Sequence, residues 1–448
     1  MMRCRSPRSV LPSAWHVAML LAALATASCG AAAEDRESPG SSAGDLPRTL
    51  APVTPESVGI SSERLERLEA GMQRFVDERE LAGVVTLLAR HGRVAHLSAT
   101  GSKNIDTGDP MTTDAIFRIY SMSKPVTGVA MMILHEEGKW RLDDPVSNYL
   151  PEFEHLTVQV DDHTGQPRRE DADRPMTMRE LMTHSGGLAY GFSDSPADTR
   201  YSEANLFDLS LPLQGMIERL ATLPLMAQPG TTWNYSISVD VQGYLVEKLS
   251  GQPFSEFLRE RVFEPLGMTD TGFFVPPTKV DRIASVHAGE NGQLETLSEM
   301  PYALVGPDPT ERPVKPLGGA GLYSTIRDYA RFAQMMLDGG ALDGTRVLAP
   351  RTVEMMRTNH LSVSATRSMA EQRPGHGFGL DFAVIDDAAA TGYPWVEGTF
   401  YWGGALGTWF WIDPATDLVF VGMIQHQGSA IGAVQGLSRN LVYQAVVE

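Results

Sequence analysis

The sequence predicts a mixed α/β fold in which both ends of the chain supply strands and a mainly helical region is inserted between them. Three observations predict it. A helical repeat followed by two β-rich runs opens the folded part, helical spacings dominate the middle, and strand-rich runs return before a last helix. Composition permits a sizeable core, with 42% of the 448 residues hydrophobic and 21% charged.

The elements follow in order. Residues 62–79 place Leu65, Leu68, Met72 and Phe75 on one side of a helix. Residues 84–90 and 94–100 are β-rich, and His91-Gly92-Arg93 between them has the composition of a hairpin turn. Helices are expected at 122–137, 176–184, 211–222, 236–249 and 253–262, with a charged, exposed loop over 160–175. Helical patterns return at 324–338 and 350–357. Strands are expected at 377–385, 407–413 and 418–425, the last two separated by a turn at 414–417, and a helix over 431–446 closes the chain. The folded domain is expected to span 55–448. Its sheet region covers about 55–120 and 315–448, and its helical region about 121–314.

Ahead of that domain, residues 1–28 read as an export signal. Arg3, Arg5 and Arg8 precede an apolar stretch from Ala14 to Ala27 that is short for a membrane span. Thr26-Ala27-Ser28-Cys29 resembles a lipoprotein cleavage box, although Thr26 stands where that box usually has Leu. Cys29 is therefore a lipidation candidate, and ordinary cleavage after Ala33 is the competing reading. The protein is expected to be exported, as a periplasmic or outer-membrane lipoprotein tethered through Cys29 or as a secreted form. Residues 29–54 are small, polar and rich in Pro, Gly and Ser, and are expected to be a disordered linker.

Charge and cysteine usage exclude several classes. The formal net charge is −18, which disfavours nucleic acid as a partner. Only Cys4 and Cys29 are present, so neither a disulfide scaffold nor a cysteine-rich metal site is possible. No metal-ligand spacing occurs, and no metal or cofactor is expected. Residues 55–448 contain no Gly-x-Ser-x-Gly, the nucleophile turn of α/β-hydrolases.

Three segments carry potential chemistry. Ser121 and Lys124 are three residues apart, a spacing that puts both on one helical face. Pro125 fits the first turn of a helix, so the helix is expected to start at about Ser121, where free N–H groups favour a developing oxyanion. Tyr235 precedes a helical run among polar residues. A phenol ordinarily titrates near about 10, so a proton-relay role there needs a cation such as Lys124 nearby. Gly403 and Gly404 lie in a strand context, where glycine often marks close approach of a ligand or another backbone, and Trp402 beside them has the size to wall a pocket.

Together these segments resemble the serine β-lactamase and penicillin-binding protein superfamily, most of all its class C-like esterase branch, the family VIII carboxylesterases. Trp402-Gly403-Gly404 stands where β-lactamases carry Lys-Thr-Gly. Residues 177–188, 235–273 and 318–337 fit the same resemblance, which extends over about 55–448. It implies a β-lactamase-like antiparallel sheet flanked by helices. It also implies an acyl-enzyme on Ser121, with Lys124 and Tyr235 as its acid–base partners and the backbone N–H groups of Ser121 and Ala405 as the oxyanion hole. Trp402, Gly403 and Gly404 would contact substrate. Which of Lys124 and Tyr235 takes the serine proton stays open, because coupled groups titrate as a pair. Two departures bear on substrate: Ile237 replaces the Asn of Tyr-x-Asn, and Trp402 replaces the lysine that helps hold a substrate carboxylate. They favour small neutral carboxylic esters over β-lactams and D-Ala-D-Ala peptides. An acyltransferase using the same acyl-enzyme is the further alternative. His184 and His426 are expected to be structural or pocket-lining.

Overall fold

A computed structural model describes residues 48–161, 167–193, 195–290, 292–298, 306 and 308–448. The export signal, Cys29 and the linker up to residue 47 lie outside the described residues. From Arg48 onward the main sheet contains β1 (Ala51–Pro52), β2 (Gly83–Arg90), β3 (Arg93–Asn104), β4 (His376–Phe378), β5 (Ala383–Ile385), β6 (Phe400–Gly403), β7 (Trp409–Asp413) and β8 (Leu418–Met423). Their order is β1-β3-β2-β8-β7-β6-β5-β4, with a short strand at Asp109–Pro110 added to β3. All pairings are antiparallel except β1 with β3.

The join between the two ends of the chain is the β2–β8 pair, where Leu87 stands opposite Val421 and Val85 opposite Met423. Both strands are buried on both faces, which explains why they read as near-continuous apolar runs. Alternation then sorts the side chains. Val84, Leu88, Trp409, Trp411 and Phe420 pack with Leu65, Leu68, Met72 and Phe75 of α1 (Ser62–Asp77). Val85, Leu87, Phe410, Ile412 and Val421 belong to the core on the opposite face. That core includes α2 (Ser123–Glu136), α3 (Ser238–Ser250) and α4 (Ile326–Leu337). The last helix, α5 (Ala430–Tyr443), lies with α1. His91 and Gly92 both have positive φ, as the tight hairpin between β2 and β3 demands.

Four expectations change. Residues 48–54, assigned to the linker, belong to the fold: Leu50 and Val53 donate backbone hydrogen bonds to Gly92 and Val94. Arg48 reaches Asp338 at 2.6 Å and Asp417 at 2.5 Å. The composition is linker-like, but Pro52 is tolerated because an edge strand needs no donor on its open side. Residues 377–385 are two strands rather than one, turned through Gly379–Phe382 with Asp381 at φ 63°; the apolar run hides a turn that Gly and Asp permit. The 160–175 loop is partly strand, Thr157–Asp161 pairing with Pro167–Asp171. Val158 buries itself there and bridges to Leu225. Three α-helices, Pro196–Glu203, Val363–Gln372 and the short Ala388–Thr391, arise where none is expected, capped by Ser195, Ser362 and Asp387.

Within the inserted region, His287–Glu290 and Gln293–Thr296 form a small sheet with His426–Gln427. The His426 imidazole is buried, and neither ring nitrogen has a partner among the described residues. Burial, assisted by the nearby His287, pushes its pKa down to about 4 from 6.5. The unfolded chain therefore takes up this proton first as pH falls. The stabilisation is complete above pH 6.5 and shrinks toward pH 4. At about 1.4 kcal/mol per unit, moving from pH 7.5 to 5 costs about 2 kcal/mol at this site. His426→Phe is expected to lose that part of the pH dependence in urea unfolding; an unchanged dependence would contradict it.

Candidate active site

The segment before α2 is held tightly. Phe117 and Arg118 pair with Ser324 and Tyr323, and Ile119 donates to Leu322 O. Tyr120 then adopts φ 42°, unusual for a side-chain-bearing residue and costing about 1–2 kcal/mol. A 3₁₀ turn over Tyr120–Met122 presents Ser121, half-buried, and α2 starts at Ser123, two residues later than expected. Pro125 sits in its first turn, where no N–H is required. From Ser123 to Leu134 the helix is buried on every side, so Lys124 is only 1% exposed.

A buried ammonium must spend its three donors. Lys124 Nζ donates to Gly319 O at 2.7 Å, Ser121 Oγ at 3.2 Å and Tyr190 OH at 3.4 Å. It also lies 4.7 Å from the Tyr235 ring centroid. Tyr235 OH donates to Ser121 Oγ at 2.7 Å. The hydroxyl, amine and phenol picked out in the sequence thus meet at one oxygen.

Tyr235 is positioned by backbone bonds between 234–237 and 184–189. Asn234 N–H donates to His184 O and Ile237 N–H to Ala189 O, while the Asn234 side chain donates to Leu188 O. His184 is buried behind it, 4.9 Å from the Tyr235 ring. The Ser236 N–H donates to its Nδ1. Burial and the Lys124 charge hold His184 well below its ordinary pKa, so it is a neutral support. Ile237 is fully buried and does not line the cavity. His426 lies in the small sheet and does not line the cavity either.

Gly404 shows why glycine is needed after Trp402. A Cβ there would collide with Ile119 O and Thr408 Oγ1. Its absence lets the end of β6 approach the turn that carries Ser121. Gly404 N–H is taken by Thr408 O, while the N–H groups of Ser121 and Ala405 donate to no backbone acceptor among the described residues. Gly403 is less crowded, its nearest neighbour to a Cβ being Thr408 O at 3.2 Å. Ser121, Tyr235, Trp402, Gly403, Gly404 and Ala405 all line one cavity of about 770 Å³, a size suited to a small organic ligand. Trp402 walls it, 5.3 Å from Tyr235 between ring centroids.

Sequence reasoning missed the residues around Lys124. Asp240 Oδ1 accepts from Gly319 N–H at 2.9 Å, which sets the carbonyl that receives Lys124. Asp381 Oδ1 accepts from Gln242 at 3.0 Å. The second oxygen of each has no partner among the described residues. Burial raises both carboxyl pKa values, and the Lys124 charge opposes that rise. Tyr190 is raised well above the phenol range, mainly by burial. The one available signal was Gly318-Gly319: a Cβ on Gly319 would meet Asp240 Oδ2 at 2.7 Å. Among the described residues, no group of three or more His, Cys, Asp or Glu is arranged to hold a metal ion.

Known proteins are similar to this chain in sequence and, for a solved structure, in fold. A protein of Mycobacterium tuberculosis is 37% identical over 369 residues, covering 81% of this chain and 90% of its own. Esterase EstB of Burkholderia gladioli is 33% identical over 389 residues, covering 83% and 93%. The solved structure of EstCE1, described as a hydrolase with promiscuous acyltransferase activity, superposes with a TM-score of 0.74 at 29% identity, covering 85% of this chain and 98% of that one. Residues 68–443 match the Beta-lactamase family over most of the folded part, and the chain belongs to that family.

Proposed function

We propose that this protein is a serine ester hydrolase that cleaves small carboxylic esters through an acyl-enzyme on Ser121. The observation that carries the reading is the 2.7 Å hydrogen bond between Tyr235 OH and Ser121 Oγ, beside buried Lys124 and at the floor of an open cavity. Ser121 Oγ attacks the carbonyl carbon while its proton passes to the Lys124–Tyr235 pair, which in the reactive state carries one proton fewer than an ammonium and a phenol together and so has a vacant basic site. Tyr235 is the closer of the two, at 2.7 Å against 3.2 Å. The carbonyl oxygen becomes an oxyanion facing the N–H groups of Ser121 and Ala405. Collapse expels the alkoxide, which takes the proton from Tyr235. Water then repeats the sequence on the acyl-enzyme and regenerates Ser121.

Two observations favour esters over β-lactams. Ile237 is buried away from the cavity, and the position of the carboxylate-holding lysine is filled by the apolar wall of Trp402. EstB and EstCE1 support the same chemistry, and EstCE1 supports an alcohol competing with water for the acyl group. Export belongs to this proposal as well, through lipidated Cys29 or after cleavage following Ala33. It is supported by the arginines and apolar run of residues 3–27.

The test compares a 4-nitrophenyl butyrate with a chromogenic cephalosporin on the same preparation. The ester is expected to be turned over with kcat/KM at least about 100-fold higher. Preference for the cephalosporin overturns the substrate reading.

A further inference from the structure

The cavity above Ser121 has a charge that the chain as a whole does not. In a protein of net charge −18, its described lining contains Arg373 and Arg439, together with His376 whose pKa burial and the two arginines lower, and no aspartate or glutamate. Arg373 lies over the Trp402 ring at 5.2 Å. Arg439, on α5, lies 4.9 Å from the Trp395 centroid and 5.1 Å from that of Tyr393. Rings hold the faces of both guanidiniums, which leaves their N–H edges for a ligand. Arg439 Nε is buried without a hydrogen-bond partner. Neither arginine has an ion pair among the described residues, in contrast to Arg48, Arg174, Arg179, Arg261, Arg282 and Arg331. The acid that acts on His376, Asp386, bonds to Asn359 and does not line the cavity.

We propose that Arg439 and Arg373 form an anion subsite, and that esters bearing a carboxylate remote from the scissile bond are the preferred substrates. The placement supports it. Gln435 stands beside Gly403, its amide nitrogen 3.9 Å from where a Cβ would lie. Arg439 follows one helical turn further along α5, about 6 Å away. A ligand whose carbonyl rests at Ser121 and Ala405 therefore passes Trp402 and Gln435 before meeting the guanidinium. Burial depresses the Arg439 pKa and the Arg373 charge adds to it, so the two cations repel each other until an anion sits between them. Trp402, where β-lactamases carry a lysine, disfavours a carboxylate close to the scissile bond, whereas the two arginines place the positive charge further from the serine and suit a remote one. A guanidinium binds a carboxylate through two parallel hydrogen bonds.

The turnover arm rests on the ester-hydrolase reading, and the binding arm does not. The probes are 3-acetoxybenzoate and its neutral isostere 3-acetoxybenzamide, with phenol release measured at low salt. The wild type is expected to show kcat/KM at least tenfold higher for the acid, carried by KM. In Arg439→Gln the acid-to-amide ratio is expected to fall at least tenfold, and in the more exposed Arg373→Gln at least threefold. Equal kcat/KM for the two esters, or a ratio unchanged in both variants, overturns the subsite. If neither ester is hydrolysed, the hydrolase reading fails on its own. Calorimetric titration of the Ser121→Ala protein still decides the subsite: binding of the acid at least tenfold tighter than the amide supports it, and equal binding overturns it.

Discussion

Ser121→Ala is expected to lower kcat/KM for 4-nitrophenyl butyrate by at least about 10⁴-fold, because no other hydroxyl replaces the attacking atom. The amides of Ser121 and Ala405 persist in the variant, so a small residual rate over water is expected to remain. An organophosphonate probe supplies the direct measurement. Intact mass should show one adduct on the wild type and none on the variant. Labelling that persists after the substitution assigns the nucleophile elsewhere. The variant should fold normally, since Ser121 is half-buried and its oxygen chiefly accepts hydrogen bonds from Lys124 and Tyr235.

The second large effect is expected from Tyr235→Phe, about 10²- to 10⁴-fold in kcat. The ring keeps its packing against His184, Trp402 and Tyr190, so the loss isolates the hydroxyl. Lys124→Met should cost a similar factor in kcat and also destabilise the protein. It removes the ammonium that bonds Gly319 O and whose charge counters both buried Asp240 and Asp381. Because the two side chains act on the same proton, the double variant should fall less than tenfold below the worse single one. Full multiplication of the two losses, measured in single turnover, would show that they act independently.

The features legible in the sequence were those in which one segment carries its own explanation. The face of α1, the β2–β3 hairpin and the Ser121-x-x-Lys124 spacing need no partner to be recognised. The meeting of Ser121, Lys124, Tyr235 and Ala405 was legible only because several weak motifs occur in one order. What escaped depends on groups far apart in the chain. Asp240 and Asp381 read as ordinary helix and strand acids until folding places both in the electrostatic field of Lys124. Tyr190 lies in a stretch without periodicity. The turn at Gly379–Phe382 was masked by apolar neighbours that would equally suit a single strand. Nothing in the sequence ties Arg373 to Arg439, and only folding brings both to one cavity beside its aromatic walls.

The pairing of β2 with β8 has a consequence for biosynthesis. Those strands are over three hundred residues apart, so the amino-terminal hairpin waits for almost the entire polypeptide before its central neighbour emerges. Such long-range closure folds slowly and leaves an unpaired edge exposed meanwhile. A truncation that removes β8 therefore takes away the central partner of β2 rather than a dispensable tail.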